Sequence, residues 1–321
     1  MTILITGAAG FIGTELSLRL LAAGHDVVGT DNLNGYYNIA LKHARLSRLE
    51  GQAGFTFHNI DLTDEEGMKA LIRNVAPEHI IHLAAQAGVR HSLKNPQAYV
   101  DANVKGHVAV LEGARDLPNL KQLLYASSSS VYGDREGGPF KESDPVTEPK
   151  SLYAASKRAG ELISESYASL YGLPQSGLRF FTVYGPWGRP DMAYWTFTDK
   201  ILAGEPIDVF NNGEMARDFT FVDDIVSGIV AILDHPPAGP ANRILNIGGG
   251  RPEKLLDMIH VIAEACGREP ILQMKPKQAG DVTVTYADTS TLKALTGFVP
   301  QIPIQVGLPK FVEWRKAHSE F

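Results

Sequence analysis

The sequence predicts an α/β fold, a doubly wound parallel sheet followed by a smaller C-terminal domain. Three observations support this prediction. Apolar, β-branched runs alternate with helical patterns through the first half of the chain. Some of these runs, such as Ile80-Ile81-His82-Leu83, are apolar on both faces, which is typical of parallel strands covered by helices on both sides. A glycine-rich turn lies between the first such run and the first helical pattern.

The expected elements follow one another as strand–helix units. Strands are expected at residues 3–6, 26–30, 55–58, 79–83, 122–127, 176–181 and 243–247, and helices near 11–24, 39–50, 64–75, 97–116 and 151–171. The alternation weakens after about residue 182, where Pro and Gly become frequent. We therefore expect residues 1–182 to form one domain, which also takes the strand at 243–247 and part of 219–235. Residues 183–321 then form mainly a second domain.

Composition and charge exclude several classes of protein. The chain has 321 residues, a net charge of −6 and no dense Lys/Arg block, so we expect no nucleic-acid partner. No apolar run approaches the ~20 residues of a membrane helix, and the N-terminus lacks the charged segment of a signal peptide. The single cysteine, Cys266, excludes a disulfide framework and a cysteine-based zinc site. We expect a cytoplasmic protein without a membrane or metal partner. His79 and His82 are expected on opposite faces of a strand, so they do not form a metal-binding pair.

The glycine-rich turn reads Thr6-Gly7-Ala8-Ala9-Gly10-Phe11-Ile12-Gly13. In such a strand-to-helix turn, backbone N–H groups can approach a pyrophosphate at the positive end of the helix. The spacing is G-x-x-G-x-x-G rather than G-x-G-x-x-G, and a plain tight turn with close helix–strand packing is the alternative interpretation. The pattern favours a Rossmann-like dinucleotide site.

The choice of dinucleotide follows from the end of the second strand. Asp31 lies 18 residues after Gly13, near the position of an acid that binds the adenosine ribose. The next residues, Asn32-Leu33-Asn34, offer no Arg or Lys for a 2′-phosphate, so the sequence favours NAD over NADP as the cofactor. Asp61 ends the third strand and is interpreted either as an adenine contact or as the cap of the following helix.

Tyr153 is the only tyrosine of the chain with a lysine, Lys157, four residues later. On a helix these two side chains share a face, and a nearby ammonium favours the ionised form of a tyrosine whose ordinary pKa is about 10. The pair follows a serine-rich strand end, Ser127-Ser128-Ser129-Ser130. One of these hydroxyls is expected to hydrogen-bond the substrate oxygen that is oxidised, and at least two satisfy the backbone at the strand end.

Together these motifs resemble the extended short-chain dehydrogenase/reductase family of nucleotide-sugar epimerases, dehydratases and decarboxylases. The resemblance runs from residue 2 to about residue 300. It is carried by the glycine loop, the serine run, the Tyr-x-x-x-Lys pair, Asp61-Leu62, His82-Leu83-Ala84-Ala85, Asn103 and Arg217-Asp218-Phe219. A UDP-sugar is the implied substrate, and the implied assembly is a homodimer through the helices near 97–116 and 151–171.

The resemblance also implies roles for individual residues. Tyr153 is the implied acid/base and Lys157 its activator, and Ser128 is the implied hydroxyl of the triad, with Ser129 and Ser127 as alternatives. The residues implied to hold NAD are Gly7, Gly10, Phe11, Ile12, Gly13, Asp31, Asn32, Asp61, Leu62, Leu83, Ala84, Ala85, Gln86, Asn103, Ser127, Tyr153 and Lys157. Those implied to bind substrate are Arg90, Ser128, Thr182, Arg189, Arg217 and Asp281.

Arg217 has an alternative interpretation, and Asp281 stands beside a departure from the family motif. Arg217 is implied to contact the UDP pyrophosphate, and a surface salt bridge is the other interpretation. In Gln278-Ala279-Gly280-Asp281, a glutamine stands where UDP-galactose epimerases carry an arginine, so one phosphate contact of the family is missing. Asp281 is still expected to reach the uridine ribose.

The serine run separates the chemistries of the family. Dehydratases carry Thr-Asp-Glu and UDP-glucuronate decarboxylases carry Thr-Ser-Glu where this chain has Ser128-Ser129-Ser130. Because no carboxylate stands there, elimination lacks its acid and base, and the sequence favours epimerisation at C4 through a 4-keto intermediate.

A narrower resemblance, to the UDP-glucuronate 4-epimerase group, lies in residues 31–37, 86–90 and 179–192. In that group Arg189, helped by Thr182, is implied to clamp the substrate carboxylate, with a domain-interface ion pair as the alternative for Arg189. The expected reaction is interconversion of UDP-glucuronate and UDP-galacturonate. The alternatives, in order, are a UDP-hexose 4-epimerase, a UDP-glucuronate decarboxylase and a non-catalytic NAD-binding protein.

Overall fold

The computed structural model describes residues 1–135, 137–239, 241–276 and 283–321. The strands in these ranges are β1 (Thr2–Thr6), β2 (Asp26–Asp31), β3 (Phe55–Asn59), β4 (His79–His82), β5 (Gln122–Ser128), β6 (Gln175–Phe180), β7 (Thr182–Tyr184), β8 (Pro206–Val209), β9 (Ala216–Arg217), β10 (Phe219–Phe221), β11 (Asn242–Ile247), β12 (Glu253–Lys254), β13 (Ile271–Met274) and β14 (Val284–Thr285). The α-helices are α1 (Phe11–Ala22), α2 (Ile39–Ser47), α3 (Glu65–Val75), α4 (Val89–Lys94), α5 (Pro96–Val100), α6 (Gly106–Ala114), α7 (Leu152–Tyr171), α8 (Ala193–Ala203), α9 (Val222–Leu233), α10 (Leu255–Cys266), α11 (Ser290–Thr296) and α12 (Ile304–Ala317).

Within the described ranges, one parallel sheet of seven strands organises the fold, in the order β11-β6-β5-β4-β1-β2-β3. The chain starts in the centre at β1, moves to one edge through β2 and β3, and then crosses to the other side of β1. This reversal between β1 and β4 is the switch point at which doubly wound sheets bind their ligands. The fold class predicted from the sequence is therefore confirmed.

Alternating residues of the central strands pack on opposite faces of the sheet. Ile3 and Ile5 of β1 join one apolar cluster, and Leu4 between them joins another. The three side chains are fully buried, because helices cover both faces of the sheet. Helices α1 and α9 belong to the first cluster, and α3 and α6 belong to the second. Burial on both faces explains why β1 and β4 have continuous apolar sequences rather than alternating ones.

The predicted helix near 97–116 has an internal change of geometry. The chain runs from α5 through a π-helical segment, Asp101–Lys105, into α6. Such single-turn π segments insert one extra residue into a helix and re-aim the side chains they carry. Asn103 is one of these side chains, and its amide points back to the loop that follows β4.

The C-terminal part of the chain carries small sheets that flank the carboxyl ends of the large one. In the described residues β7 pairs with β10, β8 with β13, and β9 with β12 and β14. β11 returns to the edge of the large sheet beside β6. None of the helices in these ranges combines the length and apolar character needed to cross a bilayer.

Candidate active site

One cavity of about 970 Å³ lies where β1, β2, β4, β5 and β6 end, between the large sheet and the C-terminal part. Its volume is at the upper end of ordinary small-molecule sites. The cavity brings together most of the site residues predicted from the sequence. These are Gly7, Gly10, Phe11, Ile12, Gly13, Asp31, Asn32, Asp61, Leu62, Leu83, Ala84, Ala85, Gln86, Arg90, Ser127, Ser128, Ser129, Tyr153, Lys157, Thr182 and Arg189.

The glycine loop is wedged between the ends of three strands. Gly7 has a φ of +77°, and a Cβ there would lie 2.8 Å from the backbone nitrogen of Ala84. A Cβ at Gly13 would lie 2.1 Å from the carbonyl oxygen of Gly7. Close backbone packing therefore requires these two glycines. The same packing places the loop against the cavity at the N-terminus of α1, where backbone N–H groups favour an anion.

The end of β2 offers unused polar groups to a ligand. Thr30 is buried at the cavity, and its Oγ1 has no hydrogen-bond partner among the described residues. Asp31 accepts a 2.8 Å bond from the Leu33 N–H at Oδ1, while no donor in the described chain reaches its Oδ2. A ribose hydroxyl suits this carboxylate, and a phosphate does not. The residues present therefore fit the adenosine end of NAD.

Lys42 is a neighbour of Asp31 that the sequence analysis missed. Its Nζ lies 3.3 Å from Asp31 Oδ1, and both side chains are buried. The sequence argument considered only residues 32–34, whereas α2 brings this lysine back to the strand end. Asp61, in turn, does not cap α3: it accepts hydrogen bonds from Thr63 and Asn32, and the cap of α3 is Asp64.

Tyr153 and Lys157 lie on the first turns of α7. Ser151 caps this helix, with its hydroxyl accepting a 3.1 Å bond from the Ala154 N–H, so the helix begins just before the pair. Lys157 donates a 2.9 Å hydrogen bond to the carbonyl oxygen of Ala126 at the end of β5. This bond ties the start of α7 to the serine run.

The electrostatics of the pair follow from burial. Burial raises the pKa of Tyr153, while a hydrogen bond with Ser128 and the positive charge of Arg189 act in the opposite direction. Burial lowers the pKa of Lys157 to about 8. Burial thus moves the two pKa values apart, because it favours the neutral form of each group: the phenol of Tyr153 and the amine of Lys157.

The serines of the run have different partners. Ser127 donates a 2.6 Å bond to Glu161, which forms a buried, bidentate ion pair with Arg179. The Ser127 hydroxyl therefore has a structural role, and its proton is not available to a substrate. Ser128 accepts from the backbone and hydroxyl of Ser130 at 3.2 and 2.9 Å and also contacts Tyr153. Among the alternatives left open by the sequence, the geometry favours Ser128.

Asn103 and Arg217 do not line the cavity. The Asn103 amide exchanges hydrogen bonds of 2.8 and 3.0 Å with the backbone of Gln86 and donates to Ser156 at 2.9 Å, so it supports the Gln86 backbone at the cavity wall. Arg217 lies on β9 and donates to the carbonyl oxygens of Ala216 and Thr283. Asp281 lies outside the described residues.

Arg189 has an intramolecular partner at the substrate end of the cavity. Its Nε and Nη2 donate to the two carboxylate oxygens of Asp191 at 3.0 and 2.6 Å. Tyr36 donates to the same carboxylate at 3.2 Å. All three side chains line the cavity. The sequence analysis predicted Arg189 as a carboxylate clamp or as an interface ion pair, and it missed Asp191 although this residue lies within the segment 179–192.

Burial alone would raise the pKa of Asp191, but the hydrogen bonds and charge of Arg189 outweigh burial and lower it. Asp191 is therefore ionised at neutral pH. A second missed contact is Tyr99, whose ring lies edge-on to Tyr153 with the centroids 6.1 Å apart. Its hydroxyl donates to the carbonyl oxygens of Ala87 and Gly88, which hold the loop after β4.

Comparison with known proteins agrees with this geometry. A family model described as "NAD dependent epimerase/dehydratase family" matches residues 3–248. A "Probable UDP-glucuronate 4-epimerase" of Rhizobium meliloti (strain 1021) is 45% identical over 341 residues, which cover 99% of each chain.

Solved structures extend the likeness. The UDP-glucuronic acid 4-epimerase of Bacillus cereus, in complex with UDP-glucuronic acid and NAD, superimposes with a TM-score of 0.92, 33% identity and 99% coverage of both chains. The UDP-glucose 4-epimerase of Thermotoga maritima, with UDP-glucose, has a TM-score of 0.87 and 30% identity at the same coverage. This chain belongs to the NAD-dependent epimerase/dehydratase family.

Proposed function

We propose that this chain is an NAD-dependent UDP-glucuronate 4-epimerase that interconverts UDP-glucuronate and UDP-galacturonate. One observation carries the proposal. Arg189 lies in the same cavity as Tyr153, close enough for its charge to oppose the rise in the pKa of that tyrosine that burial causes. A guanidinium beside the reacting carbon suits a sugar that carries a carboxylate on the neighbouring C5. The relatives named for UDP-glucuronate epimerisation support this choice of substrate.

The residues of α7 and the serine run handle the proton of the sugar C4 hydroxyl. Tyr153, as phenolate, accepts this proton when C4 is oxidised and returns it when C4 is reduced. Lys157 supplies a positive charge to the same helix face, and Ser128 hydrogen-bonds the oxygen that changes between hydroxyl and carbonyl. When bound, NAD supplies the two-electron oxidation and re-reduction at C4.

The absence of a free acid in the serine run favours epimerisation over elimination. Ser128, Ser129 and Ser130 line the cavity and carry no carboxylate. Asp191 also faces the cavity, but Arg189 keeps it ionised, so it does not serve as a general acid at neutral pH. Among the described residues, the serine run offers the 4-keto sugar no acid–base pair for elimination, so return of hydride to the opposite face is favoured over elimination.

The remaining substrate assignments are part of the same proposal. Arg90, on α4, lines the cavity from the other side of the loop after β4. Arg217 and Asp281 are proposed to hold the UDP group on the ground of the family motif alone, since Arg217 does not line the cavity. We also propose a domain boundary near residue 182. The cofactor-binding and catalytic residues precede this boundary, while Arg189 and Arg217 follow it.

We further propose a cytoplasmic homodimer. Large apolar side chains are exposed on α4, α5 and α7, namely Leu93, Val100, Leu162 and Leu170. Exposed apolar side chains on neighbouring helices are typical of an interface between copies. The test is the mass in solution, with Leu162→Glu expected to shift a dimer to a monomer. A cytoplasmic location suits a chain with a single, unpaired cysteine.

The function is tested by proton NMR of the purified protein with UDP-glucuronate, first without added NAD. Formation of UDP-galacturonate without a UDP-pentose supports the proposal, and turnover without added NAD shows that the cofactor stays bound. A UDP-pentose as main product indicates a decarboxylase instead. No product with UDP-glucuronate and NAD⁺, but interconversion of UDP-glucose and UDP-galactose, indicates the UDP-hexose epimerase.

A further inference from the structure

The ion pair between Arg189 and Asp191 uses one edge of the guanidinium. Nε and Nη2 form the side-on edge, and both donate to Asp191. The end-on edge, Nη1 and the second N–H of Nη2, has no acceptor among the residues the structure describes. A guanidinium can hold a carboxylate on each of these two edges. The arginine that the proposed function assigns to the substrate carboxylate therefore has a second edge for it.

Asp191 is itself fixed from the other half of the molecule. Tyr36, in the segment that follows β2, donates to its Oδ2 at 3.2 Å. The Tyr36 ring packs edge-on against His91 of α4, with the centroids 4.8 Å apart. The hydroxyl of Tyr36 also approaches Gly88, where an added Cβ would lie 2.3 Å from it. The carboxylate is thus held on both sides, and the plane of the guanidinium is set by it.

Displacement of Asp191 by a substrate carboxylate would be unfavourable. Asp191 would lose both Arg189 donors and keep only the Tyr36 hydroxyl, and a partly buried carboxylate without its cation is strongly destabilised. If the Arg189–Asp191 pair is retained, the guanidinium is shared by two carboxylates, that of Asp191 and that of the substrate. Repulsion between them weakens substrate binding, but the orientation of the bound carboxylate is then fixed by a rigid plane.

This orientation matters because the proposed 4-keto intermediate is a β-keto acid. Loss of CO₂ breaks the C5–C6 bond, leaves the electron pair as an enolate, and the enolate takes a proton to give a 4-keto pentose. That bond breaks most readily when it is aligned with the carbonyl π system. A carboxylate held at a fixed position near the plane of the C4 carbonyl keeps the C5–C6 bond out of that alignment.

We propose that Asp191 is a positioning residue that fixes the plane of Arg189 and so protects the 4-keto acid from decarboxylation. It does so at the expense of affinity for the substrate carboxylate. The inference rests on the proposed function.

The test compares Asp191→Asn with wild type and with Asp199→Asn. Asp199 pairs with Arg315 in the same side-on geometry, at 2.7 and 3.4 Å, outside the cavity. For Asp191→Asn we expect the KM for UDP-glucuronate to fall severalfold and the share of UDP-pentose to rise at least tenfold. Kinetics on UDP-glucose, which has no carboxylate, are expected to change less than twofold. Asp199→Asn is expected to behave as wild type.

Tyr36→Phe is the second variant, because it removes one hydrogen bond to Asp191 and leaves both charges in place. We expect its share of UDP-pentose to lie between wild type and Asp191→Asn. An unchanged UDP-pentose share in both variants, or a raised KM for UDP-glucuronate in Asp191→Asn, overturns the inference. Absence of UDP-galacturonate with the wild-type protein instead refutes the proposed function, so the two failures are distinguishable.

Discussion

The guanidinium of Arg45 donates a 2.6 Å hydrogen bond to the carbonyl oxygen of Gly188, 143 residues further along the chain. Two more of its N–H groups donate to the carbonyl oxygen of Trp187 at 2.9 and 2.7 Å. Trp187 has a φ of +61°, which is unfavourable for a residue with a Cβ, and these bonds hold it there. A fully buried arginine of α2 therefore fixes the loop that presents Arg189.

We predict that Arg45→Met destabilises the protein by about 2–5 kcal/mol, because the two carbonyl oxygens lose their buried donors. Urea denaturation measures the loss. The control is Arg48→Met, at the residue that follows α2; its partner Glu15 is partly exposed, and its guanidinium lies on the Trp187 ring without bonding the two carbonyl oxygens. That change is expected to cost about 1 kcal/mol or less. Equal losses in the two variants would contradict the role given to Arg45.

Ser127 and Ser128 are adjacent, yet we predict different effects for their replacement by alanine. Ser128→Ala removes the hydroxyl that contacts Tyr153, and we expect kcat to fall about 10–100-fold with little change in stability. Ser127→Ala removes a donor to the buried Glu161, and we expect a loss of about 1–3 kcal/mol in stability. Steady-state kinetics and thermal unfolding of both variants check this. The assignment fails if Ser127→Ala has the larger effect on kcat.

Much of this organisation follows from patterns that are local in the sequence. The order of strands and helices, the glycine loop and the Tyr153–Lys157 pair are encoded by periodicity and by spacings of a few residues. Such signals are visible in a single sequence because the partners lie on one strand or one helix.

Most contacts that the sequence analysis missed join residues of different structural elements. Lys42 reaches Asp31 through the turn of α2, and Tyr36 reaches Asp191 across 155 positions. Nothing local distinguishes these side chains from ordinary surface residues. The different roles of Ser127 and Ser128 were also not visible in the sequence. Ser127 has a structural role because it hydrogen-bonds Glu161, a residue on another element.

Lys157 gives a prediction about alkaline pH. Burial lowers its pKa to about 8, so the lysine loses its charge above that pH and no longer favours the Tyr153 phenolate. We expect kcat/KM to decline above about pH 8. Lys157→Met should be at least about 100-fold slower and should lack this decline, with its rate rising until Tyr153 ionises. An alkaline decline of the same midpoint in Lys157→Met would assign it to another group.

A buried histidine gives the last prediction, on acid stability. Burial, and secondarily the charge of Lys157, lower the pKa of His107 from 6.5 to about 3. The ring nitrogen lies 2.9 Å from the hydroxyl of Ser164. Because the folded-state pKa lies below the unfolded value, the stabilising contribution of the neutral ring is complete above pH 6.5. It is lost progressively as the pH falls from 6.5 toward 3.

Between pH 7.5 and 5.5 this histidine should lower the free energy of unfolding by about 1.4 kcal/mol. His107→Gln keeps a hydrogen-bonding side chain near Ser164 but does not titrate. We therefore expect the difference in unfolding free energy between pH 7.5 and 5.5 to be smaller in His107→Gln than in wild type by that amount. Urea denaturation of both proteins at the two pH values measures it. Identical pH dependence in the two proteins would mean that His107 titrates normally in the folded state.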